Sequence, residues 1–581
     1  MKKILSLVLT LVIVLSIGGC TPAANDPGND NNNMEDIVVR VLYTNDVHAY
    51  IDKNLNYTLV AQYRDSLENV LLVDAGDHIQ GTAYGSMDKG KNVIGLMNLA
   101  GYDLATLGNY EFNYGMEGAL NAIEWADFPY VCCNFYHINN GVKGENVLDS
   151  YKVFEVGGMK IAFIGITSPE TFTNTTPGYF QDEYGNFIYG IAGGHDGSEL
   201  YAAVQEAIDK ASEEADVVIG LGHLGVDHFV SPWTSREVIE NTVGLDAFID
   251  GHSHTVIPME EVSDAEGNTV ILTQAGSYFD NLGQMTITAG GTITTELLTA
   301  KDINARLAEV SGSEPNPELN KAEQDWIDEV NGRLGQVIGT IDAVLNNYNA
   351  DGVRLVRGRE TNAGDFAADA MYYLFDNMDI PVDVAVVNGG GIRNTAITGD
   401  ISYLTCKLIH PFGNVACLIE VTGQQILDAL EMSARGTEAD MNDPEFSEIS
   451  GFFQVSGCRY TIDTSIPSSV SVDDNGVFQS VNGEYRVRDV EILDRDSGEY
   501  KPLEPDKTYN LAGFNYTLRD CGDGHSMLRD SVVVLDYVME DYMVLANYVQ
   551  SFADTDGDGL PNVTGYSEIG GDGRITVADL S

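Results

Sequence analysis

Five short clusters carry side chains suited to holding metal ions. They are Tyr43-Thr44-Asn45-Asp46-Val47-His48, Asp74-Ala75-Gly76-Asp77, Gly108-Asn109-Tyr110-Glu111-Phe112-Asn113, Gly222-His223-Leu224-Gly225 and Gly251-His252-Ser253-His254. Asp46 and His48 are two apart, so on an extended chain end they face the same way and one ion can take both. The chain has only 10 histidines, and His48, His223, His252 and His254 follow apolar runs. Mixed His, Asp and Asn donors suit a divalent first-row ion such as Mn, Zn, Fe or Co. Asp46, His48, Asp77, Asn109, His223, His252 and His254 are too many ligands for one ion and about right for two. A shared carboxylate, read as Asp77, would hold the ions about 3.5–4 Å apart. Such a pair clamps a phosphoryl oxygen and supplies hydroxide at neutral pH.

The elements that position these clusters are short runs rich in Val and Ile. Ile37–Tyr43, Val70–Val73, Lys160–Thr167, Val218–Leu221 and Leu245–Ile249 read as buried strands. Four of the five end in a cluster of Asp, His, Asn or Gly, the usual layout of an active site on an α/β or layered sheet. After a break at Glu314–Pro317, residues Leu319, Ala322, Trp326, Ile327, Val330 and Leu334 keep helical spacing. This reads as a linker helix between two domains. A second α/β domain follows, with a strand at Val382–Val387 and a helix at Asn362–Phe375.

Composition bounds the partners. The 581 residues are 44% hydrophobic and 20% charged, the profile of a globular chain. Lys and Arg number 31 against 88 Asp and Glu, a net charge of −57. That excludes the basic footprint of nucleic-acid binding and attraction to anionic lipid. An anionic substrate would need a local positive site made of metal ions or Arg.

The N-terminus predicts export. Met1-Lys2-Lys3 precedes an apolar stretch, Ile4 to Ile17, too short to span a bilayer comfortably and suited to a signal peptide. Ile17-Gly18-Gly19-Cys20 resembles the bacterial lipoprotein processing box, which implies a signal peptide at 1–19 and lipidation at Cys20. Residues 20–36 read as a flexible tether, so the chain is expected on the outer side of the membrane of a bacterial cell envelope. The remaining cysteines read as buried thiols, with a Cys406–Cys417 bridge as the alternative.

In this order the five clusters resemble the calcineurin-like metallophosphatase domain of the 5′-nucleotidase/UDP-sugar hydrolase family. The resemblance implies a metallophosphatase β-sandwich flanked by helices (37–300), a linker helix (301–336), a C-terminal α/β substrate-binding domain (337–551) and an acidic tail (552–581). It implies that Asp46, His48, Asp77 and His254 hold one ion, and Asp77, Asn109, His223 and His252 the other. Four further motifs match the family's second domain: Arg357-Gly358-Arg359-Glu360-Thr361-Asn362, Asn388-Gly389-Gly390-Gly391-Ile392-Arg393, His410-Pro411-Phe412-Gly413-Asn414 and Cys521-Gly522-Asp523-Gly524. By that match Arg357 and Arg393 bind phosphate, Asn388, Asn414 and Asp523 contact a nucleoside, and Phe412 stacks on its base.

Two departures stand out. The family's catalytic His is Tyr110 here, and the Asp that orients it is Asn113. Tyr110 can still donate a hydrogen bond to a phosphoryl oxygen, but with an ordinary pKa of about 10 it is a poor acid. The expectation is a slowed hydrolase that favours good leaving groups. Two other readings stay open: a nucleotide- or metal-binding protein without useful turnover, and a hydrolase of a non-nucleotide phosphoester. The second departure is Thr517, which stands where the family offers a second aromatic ring, with Tyr516 beside it and Cys521 replacing a Gly. Finally, Asp554-Thr555-Asp556-Gly557-Asp558-Gly559 has the acidic spacing of a calcium loop, while Gly565 in place of Glu and an internal Pro561 favour a solvated turn.

Overall fold

The computed structural model describes residues 38–580 apart from 176, 183, 228, 229, 311, 312, 351, 395, 438–447, 474 and 496. The expected signal peptide (1–19), the expected lipidation site Cys20 and the expected tether (20–36) lie outside the described residues.

The predicted apolar runs form two facing sheets. Val38–Thr44 pairs in parallel with Val70–Asp74, which pairs in parallel with Leu104–Ala105. Leu282–Thr288 and Ile293–Leu298 complete this five-stranded sheet. The second sheet has six strands, with Val217–His223 at its centre between Met159–Thr167 and Ala247–Ile249, all three parallel.

Strand alternation then builds three apolar layers. Val39, Val41 and Tyr43 face Ile161, Phe163 and Ile219 across the sandwich. Leu42 and Leu72 point the other way, toward helices that include Lys91–Ala100. Ala162, Ile164 and Val218 face the helix Ser198–Ser212 on the opposite side. That helix buries Leu200, Val204, Ala207, Ile208 and Ala211, one stripe at helical spacing. Each of its larger aliphatic side chains contributes about 1.5–3 kcal/mol of burial. Strands covered on both faces are apolar at most positions, which is why these runs are largely continuous rather than alternating.

The helix Pro317–Leu334 starts at Asn316, whose side chain accepts from Glu318 N and Leu319 N, with Pro at the first turn. It packs on the first domain through Leu319, Trp326, Val330 and Leu334. Its buried Glu323 accepts from Tyr57 N (3.0 Å) and Thr58 Oγ1 (2.7 Å), satisfying the start of the helix Tyr57–Asp65. Trp326 Nε1 donates to Tyr84 O at 2.9 Å. A helix so fastened is packed into the first domain rather than standing free between the two.

The second domain centres on a five-stranded sheet in the order Phe453–Ser456, Val384–Asn388, Thr508–Phe514, Ala416–Thr422, Val532–Leu535. Helices Asn362–Asp376 and Gly423–Ser433 cover its two faces. The last thirty residues, expected as an acidic tail, are threaded into this domain. Asn562–Val563 pairs with Val337–Leu345, and Ile575–Ala578 pairs with Cys458–Asp463. Cys132, Cys133, Cys406, Cys417, Cys458 and Cys521 are buried free thiols, so the Cys406–Cys417 bridge does not form. Among the described residues no helix is long and apolar enough to cross a membrane.

Candidate active site

Parallel pairing sets the clusters side by side. Thr44 is opposite Asp74 and Asp74 opposite Ala105 in one sheet, while Leu221 is opposite Ile249 in the other. The loops that follow therefore leave the same end of the sandwich. Asp46, His48, Asp77, His252 and His254 all adopt positive φ, between 49° and 77°. Non-glycine residues take this conformation at a cost of order 1–3 kcal/mol, and it gathers at functional sites. Buried carboxylates hold the loops in place. Glu111 accepts from Asp77 N (2.8 Å), His78 N (3.0 Å) and Gly108 N (2.7 Å). Asp250 accepts from Leu224 N at 3.0 Å. Gly108 and Gly251 are needed for close approach: a Cβ on Gly108 would lie 2.2 Å from Asp77 Oδ1, and one on Gly251 2.7 Å from His223 Nδ1.

Five of the seven predicted ligands form two overlapping sets, and Asn109 and His252 pair with each other beside them. Asp46, His48 and His254 form one group, and Asp46, Asp77 and His223 another, with donor atoms within 4.8 Å in each. His48 Nε2 and His254 Nε2 face each other at 3.0 Å. Asp77 Oδ2 lies 3.8 Å from His48 Nε2 and 3.2 Å from His223 Nε2, so it faces a histidine of each set. Asp46 Oδ1 does the same, at 3.4 Å from His254 Nε2 and 3.9 Å from His223 Nε2. Asn109 Oδ1 is 3.0 Å from His252 Nδ1.

The chemistry of these donors fits divalent cations. His48 Nδ1 is bonded to Gln80 O (3.0 Å) and His223 Nδ1 to Ala75 O (2.8 Å). A carbonyl on Nδ1 keeps the proton there and leaves the Nε2 lone pair for a metal. His223 Nε2 is fully buried and has no hydrogen-bond partner. His252 is held the other way round, with Nε2 on Glu170 Oε2 at 2.9 Å and Nδ1 turned toward Asn109.

Tyr110 and Asn113 line the same cavity. The Tyr110 ring meets His48 edge-on, with centroids 4.5 Å apart. Burial raises its hydroxyl above the ordinary tyrosine value, with Arg393 pulling in the opposite direction. Asn113 Nδ2 donates to Gln80 Oε1 at 3.0 Å.

The second domain closes the cavity, whose volume is about 810 Å³. All six predicted substrate residues, Arg357, Asn388, Arg393, Phe412, Asn414 and Asp523, line it. The Arg393 guanidinium lies 5.6 Å from the centre of the Tyr110 ring and 5.8 Å from that of Phe412, so it spans the two domains. Asn388 Nδ2 donates to Asp523 Oδ2 at 3.0 Å. The pKa of Arg357 is lowered to about 10 by burial and by repulsion from Arg354 and Arg393. Glu448 offsets part of that crowding, 3.7 Å from Arg357 Nη1 and 3.4 Å from Arg354 Nε.

Sequence reasoning missed several contributors. Arg354 and Arg435 also line the cavity, making four arginines there. Glu170 orients His252, and Gln80 supports both His48 and Asn113. Tyr516 lines the cavity and its hydroxyl accepts from Asp523 N at 3.2 Å. Thr517 is buried and does not line the cavity. The ring therefore comes from the neighbouring residue, one position along a short helical turn.

Comparison with known proteins agrees with this geometry. The calcineurin-like phosphoesterase model matches residues 39–256, and the 5′-nucleotidase C-terminal domain model matches residues 337–530. The trifunctional nucleotide phosphoesterase protein YfkN of Bacillus subtilis is 26% identical over 88% of this chain, which spans 34% of that longer protein. The 5′-nucleotidase of Diplobatis ommata is 26% identical over 94% of this chain and 90% of its own length. The solved 5′-nucleotidase precursor of Thermus thermophilus shares the fold, with a TM-score of 0.71, 24% identity, and coverage of 93% of this chain and 99% of that one. A metallophosphatase sandwich, a linker helix and a matching second domain closing one cavity make this chain a hydrolase of the 5′-nucleotidase family of metallophosphoesterases.

Proposed function

We propose that the protein hydrolyses nucleotides or related phosphoesters outside the bacterial membrane, anchored through Cys20, and that it favours good leaving groups. The observation that carries this reading is a single cavity lined by the predicted ligands Asp77, Asn109, His252 and His254, by four arginines and by the rings of Phe412 and Tyr516. Asp46, His48, Asp77, Asn109, His223, His252 and His254 would hold two divalent ions (Mn, Zn, Fe or Co). When bound, such ions hold phosphoryl oxygens and activate water.

The chain's own residues do the rest. Arg354, Arg357 and Arg393 offset the charge of the phosphoryl group against a strongly acidic background. Phe412 and Tyr516 offer ring faces to a base, and Asn388 and Asp523 offer polar atoms to a nucleoside. Glu170 and Gln80 fix the orientation of the histidines. Tyr110 reaches the reacting end of the cavity but holds its proton tightly, so it can donate a hydrogen bond and not a proton. A leaving group that departs as a stable anion needs no proton. Pyrophosphate and aryl phosphate linkages should therefore react faster than the alkyl ester of AMP.

The test is phosphate release by the soluble chain from residue 36 onward, with Mn, Zn or Co, from AMP, ADP, a UDP-sugar and an aryl phosphate. Release should vanish in Asp77→Asn and should rank aryl phosphate and pyrophosphate above AMP. AMP turnover equal to or above that of the aryl phosphate would refute the leaving-group reading. Binding without release, with every metal, would refute the catalytic one.

A further inference from the structure

A second cluster of carboxylates lies at the seam between the second domain and the end of the chain. Glu360, Asp365 and Asp572 bring three carboxylate oxygens within 4.8 Å of one another. Glu360 and Asp365 are buried, while Asp572 is exposed. Asp369 adjoins them through Arg574, so Asp365, Asp369 and Asp572 share this one arginine. Arg574 is already committed: Nη1 and Nη2 donate to Asp369 at 2.6 and 2.9 Å, and Nε donates to Asp572 Oδ1 at 2.9 Å.

Asp365 is the informative residue. It is 2% exposed, and its Oδ2 accepts from Asp572 N at 3.2 Å, which turns the carboxylate toward the chain end. Its other oxygen, Oδ1, is fully buried and accepts no hydrogen bond. The Arg574 Nε is 3.8 Å from it, beyond hydrogen-bond reach. A buried carboxylate oxygen without a partner costs free energy that a cation would offset.

We propose that Glu360, Asp365 and Asp572 hold a calcium ion that fastens the C-terminal strand to the arginine loop of the substrate site. All the donors are oxygens, which select a hard cation over the first-row ions expected at the histidine centre. Calcium accepts irregular geometry with oxygens about 2.3–2.6 Å away, so donors on opposite sides of the ion can lie nearly 5 Å apart. The exposed Asp572 keeps lone pairs free beside its contacts to Arg574.

The site joins distant parts of the chain. Glu360 also accepts from Gly573 N (2.8 Å) and Ile575 N (2.5 Å), holding the start of the strand Ile575–Ala578. It stands three residues from Arg357. Gln454 ties that loop together, donating to Val356 O (3.0 Å) and Arg359 O (2.7 Å) and accepting from Thr361 N (3.2 Å). Calcium here would hold the chain end and the arginine loop as one unit. This inference does not depend on which phosphoester is hydrolysed.

The experiment uses the soluble chain with a C-terminal epitope and saturating Mn²⁺, with and without added CaCl₂. Loss of the epitope to a protease is followed, and bound calcium is measured by equilibrium dialysis. At calcium 100 times its Kd, opening of the chain end should fall about 100-fold, and cleavage with it. Asp365→Asn and the exposed Asp572→Asn should each lose the protection and one bound calcium per chain. Asp572→Asn keeps the test decisive if the buried variant fails to fold. A combined Asp554→Asn, Asp556→Asn, Asp558→Asn variant, which removes the only other acidic group of this kind outside the histidine centre among the described residues, should retain both. Cleavage indifferent to calcium in the wild type would overturn the proposal. So would protection that survives Asp572→Asn or disappears only in the combined variant.

Discussion

Restoring a proton donor at position 110 should accelerate AMP hydrolysis, provided its orienting partner is restored with it. The perturbation is Tyr110→His combined with Asn113→Asp. A positioned general acid contributes about 10²–10⁴ in rate, or about 3–5 kcal/mol. The ring it replaces lies edge-on to His48 at 4.5 Å, in a slot that an imidazole can occupy. Arg393 is 5.6 Å from the centre of that ring and disfavours an imidazolium. Tyr110→His alone should therefore gain less than about tenfold, because the histidine stays neutral. Asn113→Asp supplies the missing negative charge. The wild-type Asn113 donates to Gln80 Oε1, and Gln80 Nε2 is buried without a partner. Turning the Gln80 amide over presents that NH₂ to the new carboxylate, so the exchange leaves no acceptor facing an acceptor. The assay is steady-state kcat/KM for AMP and for 4-nitrophenyl phosphate at saturating Mn²⁺. AMP should gain about 10²–10⁴ in the double variant, while the aryl ester, which needs no proton, should change less than about threefold. Equal gains on both substrates, or no gain on AMP with unchanged thermal stability, would refute the assignment of Tyr110 and Asn113 to leaving-group protonation.

Two further outcomes are expected from neighbouring contacts. Tyr516→Ala should raise KM for nucleotides by about 5- to 150-fold, the equivalent of about 1–3 kcal/mol of stacking. It should leave the aryl phosphate KM within about twofold, and the same loss on both would show that the ring does not meet a base. Glu170→Gln should weaken Mn²⁺ binding by about 10- to 100-fold, since it removes the charge that orients His252. Activity should then recover at high Mn²⁺, whereas an unchanged Mn²⁺ titration would show that Glu170 does not support that ligand.

The chemistry of the site was legible in the linear sequence because its scaffold is local. Strands covered on both faces are largely apolar, so Val70–Asp74 and Val217–His223 stand out as nearly unbroken runs and Val38–Thr44 as a run interrupted only by Arg40 before its closing Thr. The loops that leave them must be polar, so Asp46, His48, Asp77, Asn109 and His223 follow at once. Tyr110 and Asn113, the two positions proposed to differ from the family's dyad, likewise stand in a single six-residue motif. Only the tertiary structure decided which neighbours serve these groups. Glu170 reaches His252 across 82 residues, and no periodicity connects them. Arg354 and Arg435 look like ordinary surface cations until the domains close on one cavity. Thr517 and Tyr516 are adjacent, and their roles follow from the rotation of one short turn, which a side-chain pattern over two residues does not encode. The chain end reads as a charged tail, yet Glu360 holds Gly573 from 213 residues away. A pattern within one segment reports which face is buried. What that face is buried against depends on how segments far apart in the chain pack, and at this site those distant contacts orient the ligands and shape the pocket.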